Sequence, residues 1–485
     1  MLRTRVLLTL SLCMPALLCA VAGWTQAARI SVEVPDALSY TQGNMVALQP
    51  MLELSGATMS KGANGIVTVT RQGKTFAFQP GKTAAKANGT AVALPMAPVA
   101  AGEVILVPVG ALVQALGGTC TLDKAKKVVK VAMSGMAPLA LPTQEMVTTD
   151  ENGKSKPLAP KDFRDSSDQL YVMNADGSSI HRLTYGTANV TLPAFSKDGS
   201  KWAYMRNPSF MPLGDVFVRS ADSPVSTCVR TSDMAKGSRV CISASLSPDG
   251  ATAYFSEMPM TGDGLPSVCC CPFTGGTAKT IATGIFPAIS PDGHTIAFVG
   301  ADATKEHPQI MLMDADGTHQ RLVKPGQANG MQFSADGSLL IFTMPYSEKD
   351  DAPQFIIICR PAAEAKEIKC IEAPADQRTD GESSPSIAPD SQRLVFLVKD
   401  KGIWSMKPDR SERKQISTQK ATSVVCEPDG AHCLYTTDAG LFRMKLDGSE
   451  VTPLAKGIDV KSAEPSPDGK LIYFLVQPQA LMDFG

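Results

Sequence analysis

The sequence Ser290-Pro291-Asp292-Gly293 lies between two apolar runs, and it is one of seven similar motifs between residues 196 and 469. The seven motifs contain the aspartates Asp198, Asp249, Asp292, Asp336, Asp390, Asp429 and Asp468, which are 51, 43, 44, 54, 39 and 39 residues apart. Proline at the first corner and glycine at the last favour a tight turn. A period of roughly 45 residues is typical of a four-stranded propeller blade.

Each motif is predicted to join two strands whose apolar residues face each other. The residue before the motif and the residue six positions after its first residue are usually apolar. Residues at these positions lie opposite each other across an antiparallel hairpin, so they should be buried on the same side. The predicted pairs are Phe195 with Trp202, Leu246 with Ala253, Ile289 with Ile296, Phe333 with Leu340, and Ile387 with Leu394.

A second type of hairpin alternates with the first. It is clearest at Leu170 to Gly177, Ile310 to Gly317 and Leu441 to Gly448. The repeats begin with this second hairpin and end with the first, so the last blade must combine strands from both ends of the repeat region. The sequence therefore predicts a mainly β chain, with a C-terminal seven-bladed β-propeller closed by two strands from each end.

The first 27 residues have the pattern of a secretory signal peptide. Arg3 and Arg5 precede an apolar run from Val6 to Ala22, and small residues follow at Ala27 and Ala28. An uncleaved membrane anchor is the alternative interpretation, although the run is short for a span. We expect an exported protein of the periplasm or cell surface, with no membrane span after signal cleavage.

Residues 28–135 are predicted to form a separate, small α+β domain with an internal repeat offset by 61 residues. Val46 to Thr58 matches Val107 to Thr119. In the second copy Val109, Leu112, Val113 and Leu116 follow helical spacing, which indicates a short amphipathic helix ending at Gly117. Predicted strands cover 66–70, 75–79 and 128–132. Residues 136–166 contain Pro138, Pro142, Pro157 and Pro160 without periodicity and are predicted to be a linker.

These patterns resemble two known families. The repeat in 28–135 resembles the N-terminal stalk-like domain of copper amine oxidases. The catalytic cofactor motif of those enzymes is missing, and all five histidines lie outside this domain. The hairpins of 167–485 resemble TolB-like propeller repeats, so the resemblance implies an envelope protein. TolB itself has six blades and a different N-terminal domain, so its role is not transferred.

The sequence does not favour an enzyme. It contains no Gly-x-Ser-x-Gly motif. His181, His294, His319 and His432 fall in or beside the predicted turns, so we expect neither a metal site nor a cofactor. The formal net charge of −1 provides no basic surface for nucleic acid. A monomer is expected.

Ten cysteines remain after residue 27, and an oxidising compartment permits disulfides. Cys426 and Cys433 occupy facing positions of the sixth first-type hairpin. Cys359 and Cys370 flank another hairpin loop, and Cys228 and Cys241 could connect two blades. These three pairs are the predicted disulfides.

Binding is predicted on the rim opposite the Asp-Gly turns, because the connections there are long at 206–214, 257–265, 300–308 and 345–353. Loops on a rigid scaffold often carry binding residues. We expect an envelope protein or glycan to bind there without being chemically changed. A lyase or hydrolase acting on an envelope polysaccharide is the alternative. The candidate partner-binding residues are Phe210, Met211, Glu257, Asp263, Glu306, Tyr346, Glu348, Asp350 and Asp351.

Overall fold

A computed structural model describes residues 30–149, 155–207, 213–232, 238–260, 264–301, 307–347, 352–361 and 368–477. The predicted signal peptide lies outside these residues. From residue 169 onward, the described residues form seven sheets. We number these sheets blade 1 to blade 7 and describe the N-terminal domain separately.

Blade 1 closes the ring, as the sequence predicted. Its strands, from the channel outward, are Val460–Pro465, Leu471–Val476, Gln169–Asn174 and His181–Arg182. Strand Gln169–Asn174 pairs antiparallel with Leu471–Val476 along six residues, and Val172 lies opposite Tyr473. Because this pairing joins two strands from one end of the repeat region to two strands from the other, the ring has no open edge at this point.

The other six blades follow the chain, each with its first strand innermost. Their strands are Asn189–Val190 with Ala194–Phe195, Lys201–Asn207, Asp215–Ser220 and Thr227–Arg230 in blade 2; Arg239–Leu246, Thr252–Pro259, Ser267–Pro272 and Lys279–Thr283 in blade 3; Ile285–Ile289, Thr295–Ala301, Pro308–Asp314 and Arg321–Pro325 in blade 4; Asn329–Phe333, Leu340–Pro345, Gln354–Cys359 and Cys370–Ile371 in blade 5; Glu382–Ile387, Leu394–Val398, Gly402–Met406 and Lys414–Ser417 in blade 6; and Ser423–Cys426, His432–Thr437, Gly440–Lys445 and Thr452–Lys456 in blade 7.

The apolar pairs predicted across the first-type hairpins are all confirmed. Phe195 lies opposite Trp202, Ile289 opposite Ile296 and Phe333 opposite Leu340, and the other two pairs are in the same register. Successive blades then bury these residues against each other. Leu340, for example, packs with Ala297 and Leu312 of the preceding blade.

The N-terminal domain contains both predicted helices, Leu48–Ser55 and Val109–Ala115, but it is rich in β-structure rather than α+β. The helices have eight and seven residues, and Gly56 adopts the left-handed conformation that ends the first one. One sheet has the strand order Thr119–Asp123, Val128–Ala132, Leu139–Glu145, Ala37–Tyr40, Gly43–Ala47, Val104–Pro108 and Val99–Ala101, and the other has the order Thr58–Lys61, Val67–Arg71, Lys74–Phe78, Ala84–Ala87 and Thr90–Ala93.

The predicted linker of residues 136–166 is wrong in its first part. Leu139–Glu145 is a strand in the N-terminal domain, with Leu139 and Leu141 buried. Pro142 is tolerated because the strand changes partner there: it pairs with Val128 at Pro142, and with Ala37 from Thr143 onward. The rest of the segment contains the hairpin Val147–Thr149 with Ser155–Pro157 and the 3₁₀ turn Pro160–Asp162.

Candidate interaction site on the propeller rim

The two rims of the propeller differ in how their polar groups are used. On the Asp-Gly rim, the turn aspartates are held within their own turns. Asp292 accepts hydrogen bonds from the Ser290 hydroxyl at 2.5 Å and from the His294 amide at 3.0 Å. The same kind of contacts, from Ser196 and Ser200, lower the pKa of Asp198 to about 2. These carboxylates therefore stabilise turns.

The opposite rim contains the connections between the second and third strands of each blade. Seven of the predicted partner-binding residues in these connections lie outside the described residues: Phe210, Met211, Asp263, Glu306, Glu348, Asp350 and Asp351. Tyr346 is described, and its side chain is 51% exposed. It lies on this rim, and its role in partner binding stays a prediction.

The prediction that Glu257 is an exposed loop residue is wrong. It lies in the strand Thr252–Pro259, is 5% exposed, and forms ion pairs with Arg230 and Arg239. The Arg239 Nε atom is 3.0 Å from its carboxylate. Two arginines neutralise this carboxylate within the protein, so it has a structural role.

Three large apolar side chains are exposed on this rim, on blades 3, 4 and 5. Met258 of blade 3 is 41% exposed, Phe286 of blade 4 is 36% exposed, and Tyr346 of blade 5 is 51% exposed. We call these three residues the rim patch. Met258 and Phe286 lie near the ends of their strands that are farthest from the Asp-Gly turns, and Tyr346 directly follows such an end.

Strand alternation places Met258 and Tyr346 on the faces of their strands that are turned toward blade 4. Tyr254 packs against Phe298 of blade 4, so Ser256 and Met258 on the same strand also face blade 4. From the other side, Phe342 and Met344 pack against blade 4. Tyr346 continues this alternation, because its amide donates to the Pro353 carbonyl at 2.8 Å in the same register.

The backbone of Phe286 is in an energetically unfavourable conformation. Its φ is +56°, a left-handed conformation that is rare for a bulky residue. It lies in a β-bulge, where Gly330 and Ser384 occupy the corresponding positions of blades 5 and 6. The Phe286 amide donates to the Ser256 hydroxyl of blade 3 at 2.7 Å, which fixes the bulge. Such strain costs about 1–3 kcal/mol and often occurs at functional sites.

Away from the rim patch, one group among the described residues has the residue types of a metal site. Glu427, Asp429 and His432 of blade 7 place possible ligand atoms within 4.8 Å of one another. However, both carboxylate oxygens of Glu427 bind Arg443, and His432 Nδ1 is 2.6 Å from Asp429. Arg443 already supplies the positive charge that an ion would bring. The cluster is therefore complete as an arginine-neutralised turn.

Glu464 lies on the innermost strand of blade 1. It is two residues before the turn motif, and the corresponding residues of the other blades are uncharged: Ala194, Ser245, Ala288, Gln332, Ser386 and Val425. Burial raises the pKa of Glu464 to about 7. This position was not identified from the sequence, although an ionisable residue among uncharged equivalents is a signal that could have revealed it.

The predicted disulfides have different outcomes. Cys359 and Cys370 are bonded. Cys228 and Cys241 are thiols, since Cys228 is on the outermost strand of blade 2 and Cys241 is on the innermost strand of blade 3. Cys426 and Cys433 are also thiols, but they lie directly opposite each other in blade 7.

Comparison with known proteins gives one family match and several structural neighbours. Residues 30–132 match the family model described as the copper amine oxidase N-terminal domain. A search of curated proteins gives no match. The chain is similar to a solved protein assigned as TolB, from Agrobacterium tumefaciens, with 18% identity and a TM-score of 0.38, covering 64% of this chain and 98% of that one.

Two enzymes are also among the structural neighbours. One is oligogalacturonate lyase in complex with manganese, with 14% identity and a TM-score of 0.41, covering 69% of this chain and 96% of that one. The other is a prolyl endopeptidase, with 15% identity and a TM-score of 0.44, covering 58% of this chain and 45% of that one. The chain thus joins a domain that matches the copper amine oxidase N-terminal family model to a β-propeller that has TolB among its structural neighbours.

Proposed function

We propose that this chain is an exported, non-enzymatic binding protein of the cell envelope, which recognises a partner protein through the rim patch. The observation that carries the proposal is the exposure of Met258, Phe286 and Tyr346 on the same rim of three successive blades. Large exposed apolar side chains that lie together are typical of protein interaction sites, and aromatic residues often dominate the binding energy.

The proposal extends to the partner's chemistry. The connections beside the patch carry more acidic than basic residues in the sequence, including Glu348, Asp350 and Asp351. A partner segment with apolar side chains flanked by basic ones fits this composition, since complementary charge increases the association rate. Export is supported by the signal pattern of residues 1–27. Among the described helices, none is long and apolar enough to cross a membrane.

The alternative is an enzyme acting on an envelope polysaccharide. Its one favourable observation is the cluster of Glu427, Asp429 and His432, which would need to bind a divalent cation. The bidentate contact of Arg443 with Glu427 opposes this, because the cation would have to displace an arginine that is bound to both carboxylate oxygens.

Binding of the full chain to proteins of an envelope extract tests the two functions. We expect Tyr346→Ser and Met258→Ser to weaken capture of a specific partner at least tenfold, whereas Val451→Ser on the Asp-Gly rim leaves it unchanged. Val451 is a matched control because it is 53% exposed. Equal capture by all variants would contradict the proposal. Release of unsaturated sugar that depends on a divalent metal would favour the enzyme.

A further inference from the structure

The first described residues of the chain lie across two blades of the propeller. We call residues 30–36 the strap. The Ser31 and Val34 amides donate to the carbonyls of Ala221 at 3.0 Å and Pro224 at 2.8 Å, in blade 2. The Glu33 amide donates to Leu183 at 2.9 Å, just after the last strand of blade 1. The strap therefore bonds the outer parts of blades 1 and 2 to each other.

A buried charge cluster fixes the strap in this position. Glu33 is 2% exposed, accepts a hydrogen bond from the Tyr204 hydroxyl at 2.6 Å, and forms an ion pair with Arg206. Arg206 also lies 3.4 Å from Asp36. Removing one partner of a buried ion pair is strongly destabilising, because it leaves an uncompensated buried charge. The strap is thus anchored to blade 2 by its side chains as well as by its backbone.

The rest of the N-terminal domain contacts the closure blade directly. The Tyr171 hydroxyl donates to Glu103, and Tyr171 stands opposite Phe474 in the pairing that closes the ring. Arg182, on the short outer strand, lies 3.7 Å from Glu103. His181 Nε2 lies 3.2 Å from Glu53, which belongs to the first helix of the N-terminal domain.

These contacts bear on how the ring stays closed. Residues 169 and 476 pair although they are far apart in the chain, and bringing distant segments together costs conformational entropy. The outer strand of blade 1, His181–Arg182, has only two residues and so adds little pairing of its own. A second set of contacts on this half of the blade would compensate for that.

We propose that the N-terminal domain functions as a clamp that holds the propeller ring closed, with the strap joining blades 1 and 2 and Glu103 supporting the closure strand. The domain is then an integral part of the propeller and not a spacer. This function is independent of the partner proposed above. Opening of the ring begins at the closure pairing, and release of the strap makes it more frequent.

Hydrogen exchange of the full chain tests the clamp. In Glu33→Ala, we expect amides of 169–174 and 471–476 to exchange at least tenfold faster than in the wild type, while 340–345 of blade 5 is unchanged. Glu33→Gln should give a smaller increase in exchange rate in the same segments. It replaces the alanine variant in the measurement if that variant folds poorly.

The control is Glu372→Ala, because Glu372 forms an ion pair with Lys324 and so also bridges two blades. It should accelerate exchange only near blades 4 and 5. Unchanged exchange at the closure pairing in folded Glu33→Ala would overturn the proposal. An equal acceleration in every blade of both Glu33 variants would overturn it too, since the clamp predicts local opening.

Discussion

Blade 1 and blade 4 differ in how their exposed surfaces are covered. At blade 1, the N-terminal domain covers the short outer strand, and Arg182 of that strand pairs with Glu103 and Asp165. At blade 4, Phe286 and its neighbours Met258 and Tyr346 expose large apolar area. The chain therefore completes its own vulnerable edge but leaves an apolar surface open on another blade. This difference suggests that the first surface serves folding and the second serves recognition.

Removing the cation that anchors the strap to blade 2, Arg206, should have the largest effect. Arg206→Ala leaves Glu33 and Asp36 without their shared partner, and we expect a loss of about 3–5 kcal/mol in unfolding free energy. Chemical denaturation measures it. Lys461→Ala removes an exposed pair with Asp459 and should cost less than about 1 kcal/mol. Similar losses in the two variants would show that the contact with the N-terminal domain is weak.

Glu464 makes the stability of blade 1 depend on pH. Its pKa is about 7 in the folded chain and lower when unfolded, so the folded state retains a proton that the unfolded state releases. Stability is therefore full at pH 4 and falls as pH rises toward 7. Glu464→Gln should not show this loss. Relative to the wild type, its unfolding free energy should be higher at pH 8 than at pH 4 by on the order of 2 kcal/mol. Urea denaturation of both proteins at both pH values measures this change. The same difference in unfolding free energy between variant and wild type at pH 4 and pH 8 would contradict the prediction.

Blade 7, which packs against blade 1, offers a test by oxidation. Cys426 and Cys433 have the same relation as the bonded pair Cys359 and Cys370, because the two cysteines of each pair lie opposite each other across a hairpin. In each hairpin, the next two residues toward the turn are joined by a backbone hydrogen bond. We expect refolding with oxidised glutathione to cross-link them and to add roughly 2 kcal/mol.

Peptide mass spectrometry identifies the cross-link, and the bond at Cys359 serves as the internal control. Burial raises the pKa of Cys426 to about 12. The folded, reduced protein should therefore oxidise slowly at this pair. Two separately alkylated thiols after oxidative refolding would contradict the prediction.

Blade 4 provides the smallest expected change. Phe286→Gly should cost less than about 1 kcal/mol, because relief of the left-handed conformation offsets lost packing. Phe298→Ala, in the core of the same blade, should cost about 3–5 kcal/mol. Thermal and chemical denaturation compare the two. A cost for Phe286→Gly that approaches that of Phe298→Ala would mean that Phe286 is a core residue and not a display residue.

The sequence predicted the propeller well because the relevant signals are local and repeated. The Asp-Gly turns, the facing pairs such as Ile289 with Ile296, and the closure near Tyr171 and Tyr473 all follow from motif spacing. The strand Leu139–Glu145 was missed because Pro142 suggested a break in the structure. Pro142 fits within this strand because the strand changes its pairing partner at that residue.

The candidate sites depend on long-range geometry and were predicted only in part. Tyr346 was identified from its loop, whereas Met258 and Phe286 become neighbours through alternation and a β-bulge that no local motif indicates. Glu257 was taken for a loop residue because the strand Thr252–Pro259 extends farther than its apolar pattern. The contact of Glu33 with Arg206 joins segments 173 residues apart, and no repeat signals it.

Site-specific photo-crosslinking in the native envelope tests the rim patch most directly. A crosslinker is placed at residue 346, 286 or 258 on the patch, or at the exposed controls 225 and 451 on the Asp-Gly rim. We predict one protein adduct of the same mass from the three patch positions and none from the controls. Adducts from residues 225 and 451, with none from the patch, would contradict recognition through this surface.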